Sequence, residues 1–431
     1  MTQNHRIDLS EWLIHFVHDR DLKHYPKGVE LPLPFCFDNK GTPLIHSLDE
    51  ISHDDQVAYE NSIGHPYGLA PDASAYTVLK RILFDGYIKS GWSFRKGKPT
   101  IYGPKSAVCF TEMPLYALIE YASNRNDSSL AEAYGIAIRK RDMFRAGSRP
   151  VIYGLSGTHT EASRGNPFFR KGLRCLSSSC GLALHEQYRY VAMNLDQNRR
   201  IDWTHEREWR WSGVGAESKF PGLPLWVEND QYIFGEILVI VKELWQSEDF
   251  VNSMKIHYDE QANIYDSTYS RKALENTVVV SLEEVKQNLS TLSNIRLEDL
   301  PTKDLSHITP NIPSAQIIQK VERAIYEAKK AAKEAAQRDR ETAPRNKQGY
   351  ITDVCGFASV VTYEANSEIT DALIELDQAF PCDGDFYIIG AVTLGIDTEQ
   401  ALRVAEAAAK AAAKKLSELL GQHFSVHSSW D

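Results

Sequence analysis

Thr204-His205-Glu206-Arg207-Glu208-Trp209-Arg210-Trp211 packs two carboxylates, two guanidiniums, an imidazole and two indoles into eight residues. An extended reading makes the side chains alternate. Glu206, Glu208 and Arg210 then share one face, and Arg207, Trp209 and Trp211 the other. Like charges this close raise each other's pKa unless a cation offsets them, and the flanking arginines supply that offset. Two readings follow. One is structural: a sheet strand in which Arg stacks on indole and Glu pairs with Arg. The other is chemical: one carboxylate stabilises a developing cation while its neighbour orients or deprotonates an acceptor.

Working outward, a chain of 431 residues implies two or three domains. Hydrophobic content of 42% and aromatic content of 10% describe a folded globular protein. The net charge of -10 is unevenly spread. Between residues 80 and 210, 22 Lys and Arg stand against 12 Asp and Glu, and the remainder is strongly acidic. A basic middle in an acidic chain fits an anionic ligand such as a dinucleotide or nucleic acid, or simply a solvated face. The six cysteines are scattered and form no Cys-x-x-Cys pair, so neither a zinc ribbon nor a disulfide scaffold is indicated. No signal-like or membrane-spanning apolar run appears, which leads us to expect a cytoplasmic protein with no membrane partner.

Apolar patterning predicts strands at Leu13-Ile14-His15-Phe16-Val17, at Ala107-Val108-Cys109-Phe110, at residues 134–138, at 149–153 and at 188–193. Ile237-Leu238-Val239-Ile240-Val241 is continuously apolar and reads as a central strand. Residues 76–87 have helical spacing and stop at Gly86; Pro114 opens a second helix through Ala122. Residues 21–75 are irregular. Residues 154–180 read as a long basic loop with Arg164, Arg170 and Arg174. This is an α+β domain ending near residue 295. Residues 296–313 carry Pro301, Pro310 and Pro313 and read as a linker. Residues 314–431 then form a small α/β domain. Its elements are an Ala/Lys/Glu-rich helix from 315 to 338, a strand at 356–363, a helix at 367–379, a strand at 386–392 and a long helix at 399–420. Thr398 is its N-cap and Gly421 its stop.

Several familiar chemistries lack their motifs. There is no phosphate-binding Gly-x-x-x-x-Gly-Lys-Ser/Thr, no Gly-x-Gly-x-x-Gly after a strand and no His-Glu-x-x-His. No metal is expected; Cys175, Cys180 and His185 are too loosely spaced. His15 has a bland reading as a satisfied strand residue, and Thr111-Glu112 before Pro114 reads as a helix cap.

The order of segments nonetheless resembles a known family. The segments are His15-Phe16, then Val78-Leu79-Lys80-Arg81-Ile82-Leu83-Phe84-Asp85-Gly86, then Phe110-Thr111-Glu112-Met113-Pro114-Leu115. Tyr134-Gly135-Ile136-Ala137-Ile138, Arg149-Pro150-Val151-Ile152-Tyr153 and Glu206-Arg207-Glu208-Trp209-Arg210 follow. The series, over roughly residues 10–245, resembles abortive-infection proteins of the AbiGi type, distant members of the ADP-ribosyltransferase superfamily alongside DarT-like toxins. The resemblance implies an ADP-ribosyltransferase-like split β-sheet core with flanking helices in residues 1–295. It implies a regulatory or partner-binding role for the C-terminal domain.

It also implies NAD as co-substrate. Glu208 would bond the 2′-hydroxyl of the nicotinamide ribose, and Glu206 would orient the acceptor. His15, Phe110, Thr111, Glu112 and Arg210 would line the NAD site, with His65 an alternative to His15 in the first-strand role. Arg139, Arg141, Arg164, Arg170 and Arg174 would contact the acceptor, nucleic acid being favoured over protein. The implied activity is a cytoplasmic toxin in anti-phage defence. Two other readings stay open: an NAD glycohydrolase, in which water is the acceptor, and an inactive antitoxin-like binding protein.

Overall fold

The computed structural model describes residues 10–19, 72–91, 93–95, 98–103, 105–113, 133–154, 174–195, 201–213, 222–229, 234–262, 267–288, 299–308, 312–382, 386–395 and 400–430. Most of the irregular 21–75 segment, the helix expected after Pro114, the basic loop between 155 and 173, and Thr398 lie outside them. The chain divides into two compact units, residues 1–247 with 270–303, and residues 248–269 with 304–431. Among the described residues no helix is long and apolar enough to cross a membrane.

The first unit is α+β and is built on a large mixed sheet. Its strands are β1 (Trp12–Phe16), β2 (Val108–Thr111), β3 (Gly135–Arg139), β4 (Arg149–Pro150), β5 (Glu208–Trp211), β6 (Ile237–Val241), β7 (Thr277–Ser281) and β8 (Thr302–Lys303). They lie in the order β8-β7-β6-β3-β1-β2-β5-β4. All neighbours are antiparallel except β6 and β7. All five residues of β6 are buried, as expected of an apolar strand covered on both faces. On one face Trp12, Ile14, Ala137, Leu238, Ile240 and Val280 pack with Leu282 and Val285 of the helix Leu282–Asn288.

One of the expected elements has clear local causes at both ends. Helix α1 (Ala75–Asp85) starts at Ser74, whose hydroxyl accepts from Thr77 N, and stops at Gly86, where φ is 82°. That left-handed backbone suits a residue without Cβ. Among the described residues the other α-helices before the second unit's own are α2 (Lys140–Arg145), α3 (Leu244–Glu260), α4 (Arg271–Glu275) and α5 (Leu282–Asn288). Helix α3 belongs to the first unit through Ser247 and to the second from Glu248.

The sheet is joined at its middle by very little main chain. β1 pairs with β3 over five registered residues but with β2 only through Ile14 opposite Thr111. Five strands thus lie on one side of this junction and three on the other. The linker expected at 296–313 is instead divided. Thr302–Lys303 pairs with β7 as the sheet's edge strand, and the unit boundary falls at Asp304. Asp304 and His307 form a capping box there.

The second unit contains α6 (Ala315–Thr342), β9 (Gly356–Thr362), α7 (Glu368–Glu375), β10 (Phe380–Cys382), β11 (Phe386–Ile389), α8 (Ala391–Leu394), α9 (Leu402–Leu420) and β12 (Ser425–Trp430). After α6 the order β-α-β-β-α-β and the antiparallel sheet β10-β11-β9-β12 define a split βαβ arrangement. α6 and α9 meet through alanines, including Ala328, Ala332, Ala408 and Ala412, all fully buried. Small side chains here let the two backbones approach closely. Ile256 of α3 is buried in the same core, which explains why residues 248–269 group with this unit. Gly421 ends α9 with φ 77°. β10 and β12 were not foreseen.

Candidate active site

The three segments singled out in the sequence lie on three neighbouring strands. β1 carries His15, β2 carries Phe110 and Thr111, and β5 carries Glu208 and Arg210. Thr111 is paired with Ile14 on one side and Glu208 on the other.

The charged octapeptide is not extended throughout. Thr204–Glu206 is a turn of 3-10 helix, and Arg207 takes a left-handed backbone at φ 45° and ψ 50°. Such a conformation costs a residue with a Cβ about 1–2 kcal/mol and so must be held by its surroundings. Asp202 grips the start of the turn, its carboxylate accepting from Thr204 N at 3.2 Å and Thr204 Oγ1 at 2.6 Å. The end of β2 grips the rest. Thr111 Oγ1 donates to Glu206 O at 2.5 Å, and Glu112 N donates to Arg207 O at 3.3 Å. Only from Glu208 does the chain become strand. Glu208 and Arg210 therefore share a face as expected, but Glu206 stands on the turn before it. The sequence reading is corrected on this point, because alternation holds only where the backbone is extended.

Glu208 is mostly buried, its side chain 13% exposed, and its Oε1 accepts from Arg210 Nε at 2.7 Å. Arg210 is more deeply buried. Its Nη1 donates to the carbonyls of Tyr188 at 2.5 Å and Tyr190 at 3.2 Å. Arg210, expected as an NAD ligand, bonds protein acceptors around Glu208 through Nε and Nη1. Cys109, opposite Arg210 in register, touches the same pair. Burial, reinforced by the Glu208 charge, pushes its thiol far up, so it stays protonated. Tyr153 completes the group, its hydroxyl donating to Trp203 O at 3.2 Å. Burial raises its phenol; a hydrogen bond with the Glu208 main chain opposes the shift, and the Glu208 and Glu206 carboxylates add to it. Tyr153 lay in a quoted strand segment without a role. Only tertiary placement brings it to the carboxylates.

Pleat alternation sends the other candidates to the opposite face. His15 contacts the Phe110 ring at 5.8 Å between centroids, and its Nδ1 donates to Cys109 O at 2.9 Å. A carbonyl can only accept, so Nδ1 carries the proton. Burial lowers the His15 pKa to about 4, so the ring is neutral near pH 7. The bond ties β1 to β2 next to the Ile14–Thr111 pair. Glu112 is also occupied. Its carboxylate accepts from Trp209 Nε1 at 2.8 Å and Lys140 Nζ at 2.8 Å.

Of the arginines expected to contact an acceptor, Arg139, Arg141 and Arg174 are among the described residues. Arg139 stacks 4.1 Å from the Trp12 ring centroid and pairs with Glu236 and Glu11. Arg174 lies over the Tyr102 ring at 4.3 Å, and it donates to the Tyr102 hydroxyl and to Pro99 O. Arg141 is exposed on α2. Arg164, Arg170 and His65 lie outside the described residues. Among the described residues no group of three or more His, Cys, Asp or Glu is arranged to hold a metal.

No protein-family model matches this chain, and neither a curated protein nor a solved structure matches it.

Proposed function

We propose that this protein is an NAD-dependent ADP-ribosyltransferase of the toxin kind, acting in anti-phage defence on a macromolecular acceptor. One observation carries the reading. β1 and β2 share the single registered pair Ile14–Thr111, and Thr111 sets Glu208 in register on its other side. A sheet joined so narrowly at its middle, with Glu208 on the strand beyond the junction and Glu206 on the turn before that strand, supports the split core that the family resemblance implies.

The chemistry follows from the carboxylates. The bond between C1′ of the nicotinamide ribose and the nicotinamide nitrogen breaks, and its electron pair leaves with nicotinamide. Positive charge builds on the ribose, where the fixed Glu208 carboxylate stabilises it and accepts from the 2′-hydroxyl. The acceptor nucleophile bonds to C1′ and gives its proton to Glu206, the carboxylate on the turn. Arg210 holds Glu208 in position. His15 ties β1 to β2 through Cys109 O and faces away from Glu208, so its role is positioning. The positive balance of residues 80–210 favours nucleic acid over protein as the acceptor.

The test is incubation with adenine-labelled NAD and RNA, DNA or lysate protein, comparing wild type with Glu208→Gln. Label on a macromolecule, lost in the variant, supports the proposal. Free ADP-ribose with no conjugate replaces it with an NAD glycohydrolase. No NAD consumption by wild type leaves the binding-protein reading in its place.

A further inference from the structure

The two faces of the second unit's sheet differ sharply. One packs on the helices: Ala358 and Val360 of β9 and Tyr387 and Ile389 of β11 are buried with the alanines of α6 and α9. Residues between these in the pleat point the other way. There Phe357 is 46% exposed and Phe380 51%, and Tyr363, just past β9, is 53% exposed, while Val361 and Phe386 on the same face are buried. The rings of Tyr363 and Phe386 lie 5.8 Å apart, and those of Phe386 and His427 5.1 Å apart, across three neighbouring strands. None of β9, β10, β11 or β12 contains Lys, Arg, Asp or Glu. This is an aromatic, uncharged sheet face on a chain whose net charge is -10.

We propose that this face docks a second copy of the chain, sheet against sheet, in a two-fold symmetric dimer. Charge selects the occupant. A nucleic-acid strand stacks on exposed aromatics, but it also needs cations along its phosphates, and these strands supply none. In a two-fold contact the same patch meets itself, so any single-sign charge on it is opposed by its own copy. Two chains of net charge -10 repel in general, and a face free of formal charge is where they can meet without that cost. Depletion of charge with enrichment of aromatics is also the composition of homodimer interface centres. Sheets packed face to face at about 10 Å interdigitate such side chains.

Sedimentation equilibrium of the full chain tests this. The expected result is a dimer mass at concentrations of about 10 μM. Phe357→Glu with Tyr363→Glu places like charges across the two-fold and should raise the dimer dissociation constant at least tenfold. Tyr326→Glu, on a 67% exposed residue of α6, should leave it unchanged. Circular dichroism confirms that each variant is folded; should the Glu pair unfold the unit, Phe357→Ser with Tyr363→Ser removes the aromatic area without burying charge. A wild-type monomer at about 100 μM overturns the proposal. So does a dimer that the face variants leave intact, or a monomer that binds single-stranded RNA through Phe357 and Tyr363.

Discussion

Arg210 Nε donates to Glu208 Oε1 at 2.7 Å within a single strand, and the guanidinium is held from its other end by the carbonyls of Tyr188 and Tyr190. The carboxylate proposed for catalysis is therefore oriented by a buried cation. Breaking such a pair from one side leaves a buried charge, which typically costs about 3–5 kcal/mol. Arg210→Met should destabilise the first unit on this scale, read as a lowered denaturation midpoint. A double-mutant cycle with Glu208→Gln should show that much of the loss is shared.

Glu208→Gln keeps the size and a hydrogen-bonding oxygen of the side chain but removes its charge. NAD cleavage should fall by at least about a hundredfold, the scale on which preorganised electrostatic groups act. Glu206→Gln should reduce transfer more than hydrolysis, because the proposed step for Glu206 is on the acceptor. Single-turnover assays that count conjugate and free ADP-ribose separately check both. Equal loss of the two products in Glu206→Gln would remove its separate role.

Thr111→Val removes the hydroxyl that bonds Glu206 O while keeping the β-branched shape that suits β2. The stability cost should be about 1 kcal/mol, as for one hydrogen bond. The left-handed turn at Arg207 should loosen, so conjugate formation should fall several-fold more than the stability loss explains. Glu206 and Arg207 amide exchange rates report the loosening directly.

His15 gives a pH dependence with a defined sign. Its pKa is lowered from 6.5 to about 4, because burial disfavours the imidazolium. The folded state therefore binds the proton less well than the unfolded state. The neutral ring's contribution is fully present above about pH 6.5 and is lost as pH falls toward about 4. Denaturation free energy in that window should decline by up to about 1.4 kcal/mol per pH unit from this group. His15→Asn keeps a donor for Cys109 O without a titrating ring and should flatten that part of the profile. If the proposed positioning role holds, the KM for NAD of His15→Asn stays near wild type, whereas a direct ribose contact would raise it.

In the second unit, Ala412 is fully buried in the core shared by α6 and α9. Ala412→Leu adds volume where there is none and should cost about 1–3 kcal/mol. A thermal scan resolving the second unit's transition would record it.

Much of the fold was legible because its causes are local. The five-residue apolar run of β6 announced a strand covered on both faces, and all five residues are buried. Gly86 and Gly421 announced helix ends, and both adopt the left-handed backbone that favours glycine. The Ala-rich helices were visible from composition. β10 and β12 were not, since Phe-Pro-Cys and Ser-Val-His-Ser-Ser-Trp carry weak apolar patterns and become strands by pairing with β11 and β9.

The candidate site divides the same way. By itself the sequence determined that Glu206 and Glu208 are close to each other, that Arg210 follows at strand spacing, and that apolar strands surround them. Only the tertiary structure decided that Thr111 stands opposite Glu208, that Glu206 leaves the strand on a turn, that Arg210 is spent inside the protein, and that Tyr153 joins the carboxylates while His15 faces away. The reason is physical. Helix stops and strand character depend on neighbours a few residues away, whereas register, burial and hydrogen-bond partners depend on which distant segments meet, and the spacing of residues along one segment does not encode that choice.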